Sequence, residues 1–155
     1  MKLQLIWVGK TRKAAIKELT NEYFERVKNF ARLEMIELRD RDDAGSDREK
    51  ILEKEAEEIL KRIEAGDFLV VLDEKGRELD SFQLADFLDK HRNAGTKQIT
   101  FVIGGHFGLA NKIKQRADFR LSLSRMTFTH EMARVFLMEQ VYRAFAILHG
   151  LPYQK

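Results

Sequence analysis

The chain has no cysteine, a single proline, a single tryptophan and no long apolar run. Without cysteine there is no disulfide, no thiolate nucleophile and no sulfur-ligated metal centre. The four histidines, His91, His106, His130 and His149, are scattered without metal-ligand spacing, so no metal is expected. The longest apolar stretches, such as Phe68 to Leu72, fall far short of the roughly 20 residues that span a bilayer. Two phosphate-binding signatures are also missing. No G-K-[ST] follows a glycine loop, and no G-x-G-x-x-G precedes an acidic residue about 20 positions on. No repeat or low-complexity segment interrupts the sequence. The start, MKLQLIWVGKTRK, has a short apolar run and no small-residue cleavage site, so it reads as a first strand rather than a signal peptide, and a cytoplasmic protein is expected.

What is present suits one soluble domain over residues 1–155: 44% hydrophobic and 34% charged residues, with a net charge of +3. The charge is unevenly placed. From Gly104 to Lys155 there are eight Lys or Arg against three Asp or Glu, while residues 1–103 carry 20 against 22. This excess, which includes Lys112, Lys114, Arg116, Arg120, Arg125, Arg134 and Arg143, fits an anionic partner such as RNA or a nucleotide. A solvated helix face accounts equally well for Lys112, Lys114 and Arg116.

Periodicity predicts strands at Leu3 to Val8, Leu33 to Leu38, Phe68 to Leu72, Gln98 to Ile103 and Phe119 to Leu123. Helical patterns run through Ile16 to Val27, Ile51 to Ile63, Leu84 to Leu88, Leu109 to Ala117 and Thr129 to His149. Asp80 or Ser81 is expected to cap the third helix, and DEKGREL to turn the chain after the third strand. Strands alternating with helices imply an α/β layer fold with a mainly parallel sheet. Ligand sites in such sheets lie at the carboxyl ends of strands. Three of these ends carry unusual chemistry: LDEKG, IGGHFG and SLSRMT. They are expected to form one pocket.

Each motif has a plainer reading beside the functional one. Gly104, Gly105 and Gly108 let backbone approach a ligand, or simply make a tight strand-to-helix turn. His130 and Arg134 share a helical face after the hydroxyl-rich turn, and could act as general base and anion clamp. Alternatively Thr127 or Thr129 caps the helix while Arg134 pairs with Glu131. The last helix is apolar on two sides, one through Ala133, Phe136, Leu137, Ala144 and Leu148, the other through Val135, Met138, Tyr142 and Phe145. The second side would meet another subunit or the core of its own domain. Trp7 reads as core, whereas Tyr153 and Lys155, in a tail with little core to join, are available to stack on or contact RNA.

Taken together, VGK at Val8 to Lys10, LDEKG, FVIGGHFG, LSLSRMTFTHEMARVFLMEQVYRAF and the closing GLPYQK closely resemble the RlmH (YbeA-like) family of bacterial large-subunit ribosomal RNA methyltransferases, over essentially the whole chain. The resemblance implies a SPOUT fold, in which a C-terminal segment threads a loop to form a deep trefoil knot, and a homodimer. It implies S-adenosylmethionine as cofactor and N3 of a pseudouridine in helix 69 of 23S rRNA as methyl acceptor. Carried over by motif, the cofactor residues are Leu72, Gly104, Gly105, Leu123, Ser124, Arg125, Met126, Thr127 and Phe128. His130 and Arg134 are the catalytic candidates, and the partner subunit's tail closes over the nucleotide. Relatives commonly end in PYHK or PYHR, whereas Gln154 replaces the histidine here, so an acid–base role for a tail histidine does not transfer. Two other classes remain: a non-catalytic RNA-binding or dimerisation module on the same fold, and a nucleotide-binding α/β enzyme of another kind, against which the missing phosphate-loop lysine and ribose-binding acid argue.

Overall fold

Alternate positions of the strands feed two separate cores. In a computed structural model describing residues 1–40 and 47–153, Leu3, Leu5 and Trp7 of the first strand point to one face, and Ile6 and Val8 to the other. The elements are β1 (Lys2–Val8), α1 (Ala14–Lys28), β2 (Arg32–Leu38), α2 (Arg48–Leu60), β3 (Phe68–Glu78), α3 (Ser81–Asn93), β4 (Gln98–Ile103), α4 (Asn111–Arg116), β5 (Phe119–Ser122) and α5 (His130–Leu148). Five strands form one sheet in the order β2-β1-β4-β3-β5, with every pairing parallel. Parallel strands need crossovers, and the helices supply them, covering both faces. The larger core gathers Val27 of α1, Leu84 and Leu88 of α3 and Leu137, Met138, Val141 and Phe145 of α5 against β1, β3 and β4. The smaller one packs Ala56 and Ile59 of α2 and Ile113 of α4 on the opposite face.

The predicted elements are all present, with three corrections that concern the site. First, DEKGREL does not end the third strand. β3 continues to Glu78, and its register on β5 jumps between Leu72 and Arg77, both paired with Leu121. Residues 73–76 therefore bulge from an unbroken strand. Glycine is needed at 76 because a Cβ there would lie 2.6 Å from the Arg120 carbonyl oxygen. Second, both apolar sides of α5 find neighbours in their own chain, since α5 packs between α1 and α3. Met138 and Phe145, which could have faced another subunit, are buried. Phe136, from the opposite stripe, is instead exposed together with Met132. Third, the tail does have something to join. Tyr153 packs edge-on against Tyr142 with ring centroids 4.7 Å apart, and its hydroxyl lies 3.1 Å from that of Tyr23 and donates to Glu139 at 3.3 Å. Gln154 and Lys155 lie outside the described residues.

Among the described residues, no helix is long and apolar enough to cross a membrane.

Candidate active site

A cavity of about 1180 Å³ opens at the bulge of β3 and the carboxyl ends of β4 and β5. Its walls are Leu72, Asp73 and Glu74 from β3 and its bulge, Ile103 at the end of β4 and the residues after it to Asn111, Lys114 of α4, and Leu121 of β5 with Leu123, Ser124 and Met126 to Thr129 after it. His130 and Ala133 of α5 close one side, and Arg48, Glu49, Leu52 and Glu53 of α2 another. The three segments chosen from sequence, LDEKG, IGGHFG and SLSRMT, thus meet in one place, the first as a bulge rather than a strand end. The volume exceeds the ~1000 Å³ upper end of ordinary small-molecule sites, leaving room for more than one ligand.

The glycine loop after β4 folds back on itself. Gly108 donates to the Gly105 carbonyl at 3.1 Å, and the two form an isolated antiparallel bridge. A Cβ on Gly104 would lie 2.9 Å from Gly108 Cα and closer still to its carbonyl carbon and oxygen, so only glycine fits. Gly108 has φ +79, a left-handed conformation natural to glycine.

The turn after β5 is held by its own hydroxyls. Ser122 Oγ donates to the Ser124 carbonyl at 3.0 Å, and Ser124 Oγ accepts from the Met126 N–H at 3.0 Å. Thr129 is the N-cap of α5, accepting from the Met132 N–H at 3.3 Å. Capping and cavity lining are therefore both correct readings of this stretch. Phe128 packs against Phe136 with tilted rings 4.7 Å apart, and Met126, another wall residue, is 72% exposed. Arg125 is not part of the wall; it projects to Glu78 at 3.6 Å.

His130 is half-buried in the wall, and its pKa is lowered below the ordinary 6.5. Burial is the main cause, and the Arg134 cation and His106 act in the same direction against Glu131 and Asp40. A neutral imidazole therefore predominates at pH 7, the form that accepts a proton.

Arg134, one turn on, goes elsewhere. It is fully buried, with its guanidinium donating to the Val8 carbonyl and to Thr11 Oγ1, both at 2.7 Å. It lies 5.1 Å over the Trp7 ring and 4.0 Å from Glu37, and its Nε has no hydrogen-bond partner. The expected pairing with Glu131 does not form, because Glu131 instead accepts the Lys13 N–H at 3.2 Å. Arg134 thus ties the start of α5 to the carboxyl end of β1 without reaching the cavity.

Sequence reasoning missed the acidic side of the site. Asp73 is buried at the bulge, where it accepts the Lys75 N–H and pairs with Lys114 at 3.3 Å and Arg120 at 3.8 Å. Its place in LDEKG was the available signal. Glu49 and Glu53 of α2 gave none, since on an amphipathic helix they resemble a solvated face. The clustered cations of the C-terminal third prove to be locally neutralised. Lys112 pairs with Glu53, Arg116 with Asp118 and Arg143 with Glu139, in addition to the pairs already described.

Comparison with known proteins agrees across the chain. A family model described as "Predicted SPOUT methyltransferase" matches residues 1–154. Ribosomal RNA large subunit methyltransferase H of Trichlorobacter lovleyi is 44% identical over 153 residues, covering 99% of each chain. The protein of the same name from Carboxydothermus hydrogenoformans is 40% identical over the full length of both. Among solved structures, the tRNA (m1G37) methyltransferase of Aquifex aeolicus aligns with a TM-score of 0.56 at 14% identity, over 92% of this chain and 70% of that one, a likeness of fold alone.

Proposed function

The chain belongs to the SPOUT methyltransferase family, and on that premise we propose that it methylates ribosomal RNA of the large subunit with S-adenosylmethionine as donor, at N3 of a pseudouridine in helix 69. The observation that carries this reading is the cavity at the β3 bulge and the ends of β4 and β5, lined by the glycine loop, the turn after β5 and His130. Its chemistry suits the cofactor. Leu72, Leu123 and Met126 offer apolar surface to a purine, while Glu49 and Glu74, which form no ion pair among the described residues, provide negative charge for a ligand bearing a sulfonium and an ammonium. Backbone groups at Gly104, Gly105 and Leu123 to Phe128 hold it, and Ser124 and Thr127 add hydroxyls. Arg125, on the rim side of the turn, supports its conformation through Glu78. Bound there, S-adenosylmethionine supplies a methyl group activated for direct transfer to nitrogen.

The chain's own contribution is positioning and proton handling. A pseudouridine N3 must lose its proton to become nucleophilic. His130, neutral and on the wall, is the group placed to take it, and Arg134 contributes by fixing the helix start that carries His130. Exposed Met132, Phe136 and Met126 lie beside the cavity, and we assign them to a homodimer contact. Tyr153 lies beyond the far end of the 19-residue α5, so it and Lys155 would serve the cavity of a partner copy rather than their own. The threaded C-terminal segment and a cytoplasmic location, where ribosomes are, belong to the same reading.

The test is methyl transfer. Purified protein with labelled S-adenosylmethionine should label large-subunit RNA in ribosomal particles, and RNA from cells lacking the gene should lose one methylated pseudouridine by mass spectrometry. Saturable RNA binding without cofactor binding or transfer would instead establish a non-catalytic module.

A further inference from the structure

We infer that the loop between β1 and α1, with the first turns of α1, is a second RNA-binding site that holds single-stranded RNA flanking the target nucleotide. The inference rests on the functional reading above. A smaller cavity of about 260 Å³ lies on this side of the molecule, lined by Trp7, Thr11, Asn21 and Glu37, with Lys10 and Lys17 at its edge. That volume lies just below the ~300 Å³ at which drug-sized pockets begin, the scale of a single nucleobase. Lys10, Lys13 and Lys17 are exposed and form no ion pair among the described residues. The cations of the C-terminal third, by contrast, are engaged with carboxylates of their own chain. Lys10, Lys13 and Lys17 thus present unpaired positive charge on the loop and first turns that contact the active-site helix.

The pocket's one carboxylate does not oppose an anion strongly. Glu37 accepts from Trp7 Nε1 at 3.3 Å and from the Thr11 N–H at 3.0 Å, and faces the buried Arg134. Asn21 supplies both a donor and an acceptor for a base edge, and lysines at the mouth suit phosphodiesters. The position also fits. The loop touches α5 at two points, Lys13 to Glu131 and Thr11 to Arg134, while His130 beside Glu131 lines the main cavity. The loop therefore rests on the same helix start that presents His130 to the main cavity.

Binding of a short fluorescein-labelled single-stranded RNA, measured against salt with the full-length protein, tests the assignment. Each phosphate neutralised on a single strand contributes about 0.7 to the slope of log K against log salt. The triple variant Lys10→Ala/Lys13→Ala/Lys17→Ala should have a slope shallower by about 2 and bind about tenfold or more weakly, with cofactor binding and oligomeric state unchanged. Asn21→Ala should weaken binding without altering the slope. A triple variant with wild-type slope and affinity overturns the inference, as does one whose oligomeric state changes, since the surface would then be covered by a second copy. If the wild-type protein transfers no methyl to any ribosomal particle, the functional reading fails first. Wild-type transfer with unaffected lysine variants sinks this inference alone.

Discussion

Replacing Gly104 by alanine tests the claim that the loop after β4 shapes the cofactor site. The added Cβ would lie 2.9 Å from Gly108 Cα, with the Gly108 carbonyl closer still. Carbon atoms rest at about 3.5–4.0 Å, so one backbone segment must move by on the order of 1 Å. Overpacking of this kind costs about 1–3 kcal/mol, and the upper half of that range is expected because backbone cannot rotate away as a side chain can. Positional errors near 1 Å in a catalytic site cost about 100-fold in rate. Two neighbours serve as controls. At Gly105 the nearest atom is Val8 Cγ1 at 3.2 Å, a methyl that can yield by tenths of an ångström, so Gly105→Ala should cost less than about 1 kcal/mol. At Gly108 nothing lies within 4 Å, but φ is +79, so Gly108→Ala should lose about 1–2 kcal/mol of stability from backbone strain with a smaller change in cofactor affinity. Urea denaturation and calorimetry with S-adenosylmethionine give both quantities for each variant. If Gly104→Ala matched the wild type in stability and cofactor affinity, or ranked below Gly105→Ala, the close-approach argument would be refuted.

Further outcomes follow from three other side chains, His130, Arg134 and Tyr153. His130 should titrate below 6.5 by NMR; because the unfolded chain then binds more protons than the folded one, its contribution to stability is complete above 6.5 and is lost as pH falls through 6.5 towards the lowered value, a slope that His130→Ala should reduce. The same variant should lower methyl transfer about 100-fold or more if His130 handles the N3 proton, and unchanged turnover would rule that role out. Arg134→Met leaves the buried Val8 carbonyl without its partner and removes the cation over Trp7, so it should lower stability by about 2–3 kcal/mol in urea, with Arg134→Lys retaining part of that; equal stability of all three forms would show that the clamp contributes nothing. Tyr153 has its pKa raised, first by burial and then by its bond to Tyr23, so its phenol should ionise above the free range in an absorbance titration, and Tyr153→Phe should cost about 1 kcal/mol; a normal titration would mean that the tail is not docked as described.

The parts of the site legible in sequence are those built from short-range order. A parallel strand buried on both faces reads as a continuous apolar run, and glycines or hydroxyls at its end mark where backbone must turn. FVIGGHFG carries both signals and LSLSRMT the second alone, on an edge strand of mixed polarity, and their two strand ends meet in the cavity. Partners distant in the chain were not legible. Helical spacing offers Arg134 a partner three residues back in Glu131, yet its bonds are made 126 residues upstream at Val8 and 123 upstream at Thr11. The composition of DEKGREL favours a turn, and residues 73–76 do leave the ladder, but pairing with β5 returns Arg77 and Glu78 to the sheet. Charge counting failed for the same reason: eight cations against three acids describes a stretch of chain, whereas Lys112 and Lys114 meet Glu53 and Asp73 across the fold. Net charge along the sequence therefore pointed to the C-terminal third, and folding cancels much of it there. Lys10, Lys13 and Lys17 lie in the half of the chain whose sum is negative, yet as a surface they present three exposed cations beside the helix that carries His130.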